Sequence, residues 1–363
     1  MSSSETSAIG EELRRLDLNT PQPQNDQEIP QVTIVDTKDQ VVSMLEALAS
    51  LESSSNSIFV DMEGVNLSRH GSISLIQIYV PKCKDIFIID IHTLGAQTFD
   101  IPGPKRQTLK GVLEGSEFKK YFFDVRNDAD ALDALFSIRL AHVVDVQLLE
   151  VASRAGSKHL LRGLAACIEQ EQILTEAGAY KWKSTKEEGT KMFNPKIGGS
   201  YEVFNVRPLQ QALIDYCIGD VQYLPALSDI YQCRLNDYWK EQVRAETERR
   251  LTESRKPNYQ PKGKKKIFGP RRWGFPPKSQ GKQLARPPVR SIFLAIHIVE
   301  GDRPCHLPMR FVRAGERVSR GKGNYHSVLV QSDGAASGLA EEQNWALCDK
   351  DCGWCGHCGD GAL

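Results

Sequence analysis

The chain has 363 residues, is 40% hydrophobic and balances 46 Lys+Arg against 46 Asp+Glu, so the overall charge singles out no partner. A core of good size is expected, and a length prior of about 150 residues per domain allows two units. No apolar run is long enough to span a bilayer, and the Ser-, Gln- and Pro-rich N-terminus carries early acids, unlike the basic-then-apolar plan of a signal peptide. An intracellular protein of nucleus or cytoplasm, without a membrane partner, is expected, and nine cysteines fit a reducing compartment. The zero charge is an average over unlike parts, because residues 256–299 hold many Lys and Arg and no Asp or Glu.

Residues 1–30 read as a disordered leader. A short strand is expected over 31–36, then a capping box at Thr37-Lys-Asp-Gln40 opening a helix with Val41, Leu45 and Leu48 on one face. Strands over 58–63, 73–80 and 86–91, with short turn-rich links, predict an antiparallel meander. A short helix near 109–113, a strand over 120–124, a helix over 128–136, a strand over 142–146 and a helix over 159–171 then alternate. Sheet first and alternation afterwards predicts an α/β layered domain. Residues 176–202 read as a polar insert with Lys181, Lys183, Lys186, Lys191 and Lys196. Helix is expected to resume at Pro208, a favoured first-turn proline, and to run to about 255 with a break at Pro225. The folded domain is placed at 31–250, and 251–363 reads as an irregular, basic, Pro- and Gly-rich extension ending in a cysteine cluster.

Three acidic features stand out. In Ile58-Phe-Val-Asp61-Met-Glu63 an apolar strand presents two carboxylates at i and i+2, which share a face. Adjacent carboxylates repel unless a cation relieves them, and Mg or Mn are the hard cations that oxygen ligands suit. By itself the pair reads equally as a solvated strand end. Asp128 stands where a strand enters a helix, a position that favours an anion and that plain capping would also explain. Tyr216 and Asp220, four apart, lie on one helical face beside an apolar stripe of Leu209, Leu213, Cys217, Val221 and Leu224.

Taken in order, Asp61/Glu63, Asp128 and Tyr216-x-x-x-Asp220 resemble the three motifs of the DEDD superfamily of 3′–5′ exonucleases, ribonuclease D and Werner-type. Arg207-Pro208-Leu209, with six residues between it and Tyr216, and Ser74-Leu75-Ile76-Gln77-Ile78 are similar to the family's flanking segments. The resemblance covers about residues 31–235, and Tyr216 places it in the tyrosine subclass. It implies a ribonuclease H-like mixed sheet flanked by helices, and removal of nucleotides from single-stranded RNA or DNA 3′ ends. Two Mg2+ or Mn2+ ions would be held by Asp61, Glu63, Asp128 and Asp220, with Tyr216 orienting the attacking water. Arg126, Asp124, Asp130 and Asp215 are read as structural or solvated. The insert is longer than ribonuclease D suggests, and no helical accessory domain is evident. The other class of function is a silent nuclease-like module that binds RNA or protein. Such a derivative is expected to lose metal-binding acids, and here all four are present.

The basic segment, with Lys264-Lys-Lys266, Phe268, Arg271-Arg272-Trp273 and Phe275, suits a grip on single strands, a nuclear import signal or a solvated tail. Cys348, Cys352, Cys355 and Cys358, with His357, supply enough ligands for one Zn2+ but lack the usual two-knuckle spacing, so free thiols are the other reading.

Overall fold

The structure is a computed structural model that describes residues 30–51 and 56–273. Six strands form one mixed sheet: β1 (Gln31–Val35), β2 (Asn56–Glu63), β3 (Leu75–Val80), β4 (Asp85–Asp90), β5 (Phe118–Phe122) and β6 (Val143–Asp145), in the order β1-β4-β3-β2-β5-β6. β2, β3 and β4 are the antiparallel meander, and β1, β5 and β6 join parallel to their neighbours. The expected fold class, a ribonuclease H-like α/β sheet flanked by helices, is the one observed.

Alternation on β2 sets the layers. Ile58, Val60 and Met62 are fully buried in one core, together with Val41, Met44, Leu45 and Leu48 of α1 (Lys38–Ala49), α3 (Leu109–Glu114) and α4 (Arg126–Phe136); α2 is a single turn (Ile91–Leu94). The expected capping box opens α1: the Thr37 hydroxyl takes Gln40 N–H, and the Gln40 side chain takes Thr37 N–H at 2.9 Å. Phe59, Asp61 and Glu63 point to the opposite face. That face is covered by α5 (Val146–Ser153), α6 (Leu164–Glu171), α7 (Glu176–Phe193), α8 (Gln211–Val221) and α9 (Leu224–Arg234).

Several expectations are corrected. Residues 146–153, of which only 146 has a place among the expected elements, as a strand end, form α5, because the Asp145 carboxylate caps Gln147 N–H and Val146, Leu148, Leu149, Val151 and Ala152 are all buried. The insert is mostly helix: α7 buries Trp182, Lys186, Gly189 and Phe193 against α8, a spacing of four, three and four. Pro208 precedes α8 rather than opening it. Its peptide bond to Arg207 is cis, and the Arg207 guanidinium grips the Asp90 carboxylate and Phe204 C=O. The helical run to 254 breaks at 222–223 and again at 235–236, and Pro225 lies in the first turn of α9.

The last helix, α10 (Asp237–Ser254), is followed by residues 255–273, which pack back on the domain beyond the expected boundary at 250. Leu161 N–H donates to Ile267 C=O at 2.8 Å, Gly269 N–H donates to His159 C=O at 2.8 Å, and Trp273 is 5% exposed. Two members of the basic stretch are therefore structural: Trp273 is not free to stack on a base, and Lys266 is buried with Nζ donating to Asn127 Oδ1 and to Pro261 C=O. Lys264, Lys265, Phe268, Arg271 and Arg272 are exposed. The leader, the segment beyond 273 and the cysteine cluster with its zinc reading lie outside the described residues. Among the described residues, no helix is long and apolar enough to cross a membrane.

Burial, then the charge of Arg126, holds the Lys266 ammonium down at about 7, against an ordinary 10.5. Between those values the unfolded chain binds the extra proton, so this group's contribution to stability rises with pH. Neutral lysine still has hydrogens for both carbonyl partners. Urea denaturation of wild type against Lys266→Met, repeated across that interval, is expected to show the wild-type advantage growing toward alkaline pH; a constant difference would refute it.

Candidate active site

β2 pairs with β5 only as far as Phe59 opposite Tyr121, so Asp61 and Glu63 lie beyond the end of that pairing. α8 crosses this face and brings Asp220, and a carboxylate oxygen from each of Asp61, Glu63 and Asp220 lies within 4.8 Å of the others. Tyr216, one turn earlier on α8, is 6% exposed and meets Phe193 edge-on at 5.1 Å.

Asp128, on α4, lies outside that trio but near enough to Asp61 and Glu63 for their charges to interact. The turn entering α4 places Asp124 in the left-handed region at φ 66°, and the Asp145 carboxylate takes the N–H groups of Asp124 and Val125 at 3.1 and 3.2 Å. Arg250 is 4% exposed and donates from one nitrogen to Asp145 at 2.7 Å, Gln147 at 3.0 Å and Asp124 at 3.3 Å. Burial would raise the Asp124 carboxyl, but Arg126 and Arg250 outweigh it and hold the group well below the usual range. Asp130 takes Arg69 N–H and the Arg69 guanidinium at 2.9 and 2.6 Å, and Asp215 is exposed. The acids set aside in the sequence are thus structural or solvated.

The four candidate acids behave differently. Asp128 is fully buried, and neither carboxylate oxygen has a hydrogen-bond partner among the described residues. Burial first, then the charge of Asp61, lifts its carboxyl well above the ordinary range. Asp61 is raised by burial and by Asp220, and Glu63 by burial, Asp61 and Asp220. Asp220 is raised by burial and partly relieved by Lys186. Buried acids whose charges raise one another, one of them with both oxygens unpartnered among the described residues, are a donor set for hard divalent cations, which oxygen ligands satisfy. The residues present fit such ions.

Sequence reasoning missed Lys186. It was counted in the insert as one lysine of five, and only the Trp182-x3-Lys186-x2-Gly189-x3-Phe193 spacing could have placed it on a buried face. Its Nζ lies 2.7 and 2.6 Å from the two Asp220 oxygens. Gln77 was also passed over as a site neighbour. It is fully buried, stands directly across from Asp61 in the β2–β3 register, and neither of its amide atoms is paired among the described residues.

The family profile described as 3′–5′ exonuclease matches residues 32–236, more than half of the chain. The chain belongs to this family. It is a metal-dependent hydrolase acting on nucleic acid from the 3′ end. Ribonuclease D of Trypanosoma brucei in complex with RNA U12 is 19% identical and covers 67% of this chain and 78% of its own, with a TM-score of 0.50; it shares the fold. Another crystal structure of ribonuclease D from Trypanosoma brucei is 22% identical over 63% of this chain and 75% of that one, with a TM-score of 0.49. Ribonuclease D of Escherichia coli is 17% identical over 62% and 51%, with a TM-score of 0.45. No curated protein matches the chain.

Asp128→Asn removes one of the mutually repelling charges at almost constant shape. In EDTA this variant of the 3′–5′ exonuclease is expected to be more stable than wild type by about 1–3 kcal/mol. Its turnover should be lost. Thermal melting with and without Mn2+ checks this, and a destabilised variant would mean that Asp128 is satisfied rather than strained.

Proposed function

We propose that this exonuclease trims single-stranded RNA from the 3′ end, with Asp61, Glu63, Asp128 and Asp220 as ligands for two Mg2+ or Mn2+ ions. The observation that carries the reading is the meeting of Asp61, Glu63 and Asp220 within 4.8 Å beside the unpartnered Asp128. When bound, such a pair of ions activates a water and neutralises the departing 3′ oxygen. The chain supplies the rest. β2, α4 and α8 contribute ligands from separate elements, so their packing sets the spacing of the oxygens. Tyr216 stands one turn from Asp220 on the same helical face, where its hydroxyl can hold the attacking water by a hydrogen bond. Phenols titrate at about 10, so orientation rather than proton removal is the role assigned.

RNA as the preferred strand is supported by the fold-sharing ribonuclease D, whose structure contains RNA U12. Exposed Lys181, Lys183 and Lys191 on α7 and Lys196 just after it offer phosphate contacts on the element adjoining the site.

The test is a 5′-labelled single-stranded oligonucleotide, as RNA and as DNA, with a free or phosphate-blocked 3′ end. The expected result is a ladder shortening from the free RNA end with Mg2+ or Mn2+, and none in EDTA. Asp220→Asn should cost about a thousandfold, and Tyr216→Phe about ten- to a hundredfold with metal binding intact. Equal rates on DNA would overturn the strand preference, and an active Asp220→Asn would overturn the residue assignment.

A further inference from the structure

Lys186 is 6% exposed, on a helix whose outward residues are charged and solvated. Burying a long cationic side chain there is costly unless the ammonium is paired. The α7–α8 contact is shaped to admit it. The Trp182 indole donates to Gly219 C=O at 3.2 Å, fixing the two helices at the residue next to the acid. A Cβ on Gly189 would fall 2.6 Å from Tyr216 Cδ2, and one on Gly219 would fall 3.3 Å from Lys186 Cδ. Gly189 therefore lets Tyr216 close on α7, and Gly219 leaves the room on α8 that the Lys186 stem passes through.

At its end the ammonium contacts both residues of the third motif. Nζ bonds both Asp220 oxygens and sits 3.1 Å from the Tyr216 ring centroid. Asp220 is also the acid whose carboxylate meets Asp61 and Glu63. A carboxylate has about four lone-pair positions, and an ammonium across both oxygens draws on the same charge that a divalent ion would use.

We infer that Lys186 is a resident cation of the centre that competes with divalent metal for Asp220, positioning that carboxylate and Tyr216 and setting how tightly metal is held. The inference rests on the proposed metal-ligand reading of the four acids. Metal loading exchanges the ammonium for the ion on Asp220, so removing the ammonium favours the ion. A purely structural pair has the opposite consequence: losing it loosens Asp220 and weakens metal binding.

The deciding experiment is calorimetric titration of Mn2+ into the full chain as wild type, Lys186→Met, Lys186→Arg and Asp220→Asn, each checked for fold by circular dichroism. Lys186→Met keeps the apolar stem and is expected to bind Mn2+ about tenfold more tightly than wild type. Its melting temperature should be lower than wild type in EDTA, with the gap closing when Mn2+ is added. Lys186→Arg, which keeps the charge, should return the affinity toward wild type. If Lys186→Met does not fold, Lys186→Gln is expected to give the same ordering. Equal or weaker Mn2+ binding without the charge would overturn the inference while leaving the metal centre standing. Wild-type affinity in Asp220→Asn would overturn it too, because Asp220 would not be the contested ligand. Absence of binding in every folded form would instead remove the metal-centre reading on which it rests.

Discussion

Mutual repulsion of buried carboxylates is the constraint around which this molecule is organised. Asp61, Glu63, Asp128 and Asp220 converge from three separate stretches of chain, and burial raises all four. Such a cluster works against folding, so the surrounding structure must hold it together. Each of its three arms is fastened by pairs that lie outside the cluster. β2 is central in the sheet, with hydrogen-bonded neighbours on both sides. α4 is fixed at its start by Asp145 and Arg250, and α8 is led in by Arg207 on Asp90 and clamped through Trp182. The repelling acids are thus spaced largely by groups that do not themselves neutralise them, Lys186 on Asp220 being the exception, which keeps the charge of the other acids available for cations.

The cross-ties run between parts remote in sequence. Arg69, in the loop after β2, reaches Asp130 on α4, Ser254 C=O at the end of α10 and Pro257 C=O beyond it. Tyr259 donates to Asn127 Oδ1 at 3.0 Å, on the residue next to Asp128, and the Arg126 guanidinium reaches Lys266 C=O at 3.0 Å. The loop after the first acidic pair, the helix carrying the second motif and the segment after α10 therefore share one polar network. A buried network of this kind is stabilising only while every member is satisfied, which explains why it was invisible residue by residue.

The meander, the capping box and the order of the three acidic motifs were readable because each rests on local rules: alternation, a cap at fixed offset, and acids at strand or helix spacing. Asp128 was found although its surroundings were not. Lys186 escaped because lysine on a polar helix usually faces water, and only Gly219, on a partner helix far along the chain, makes room for it. α5 was missed because five buried apolar residues in eight erase the helical period that identifies an amphipathic segment. The reach of the fold past 250 was hidden by Pro, Gly and Lys, whose composition resembles a solvated tail while Tyr259, Lys266 and Trp273 dock individually.

The docking of residues 255–273 has a consequence for biosynthesis. The acids of all three motifs have been translated by residue 220, yet the groups that brace Asn127, beside Asp128, come dozens of codons later. A nascent chain that has exposed the three motifs but not yet residues 259–266 lacks that brace, so the surroundings of Asp128 are completed last in the synthesis of the domain.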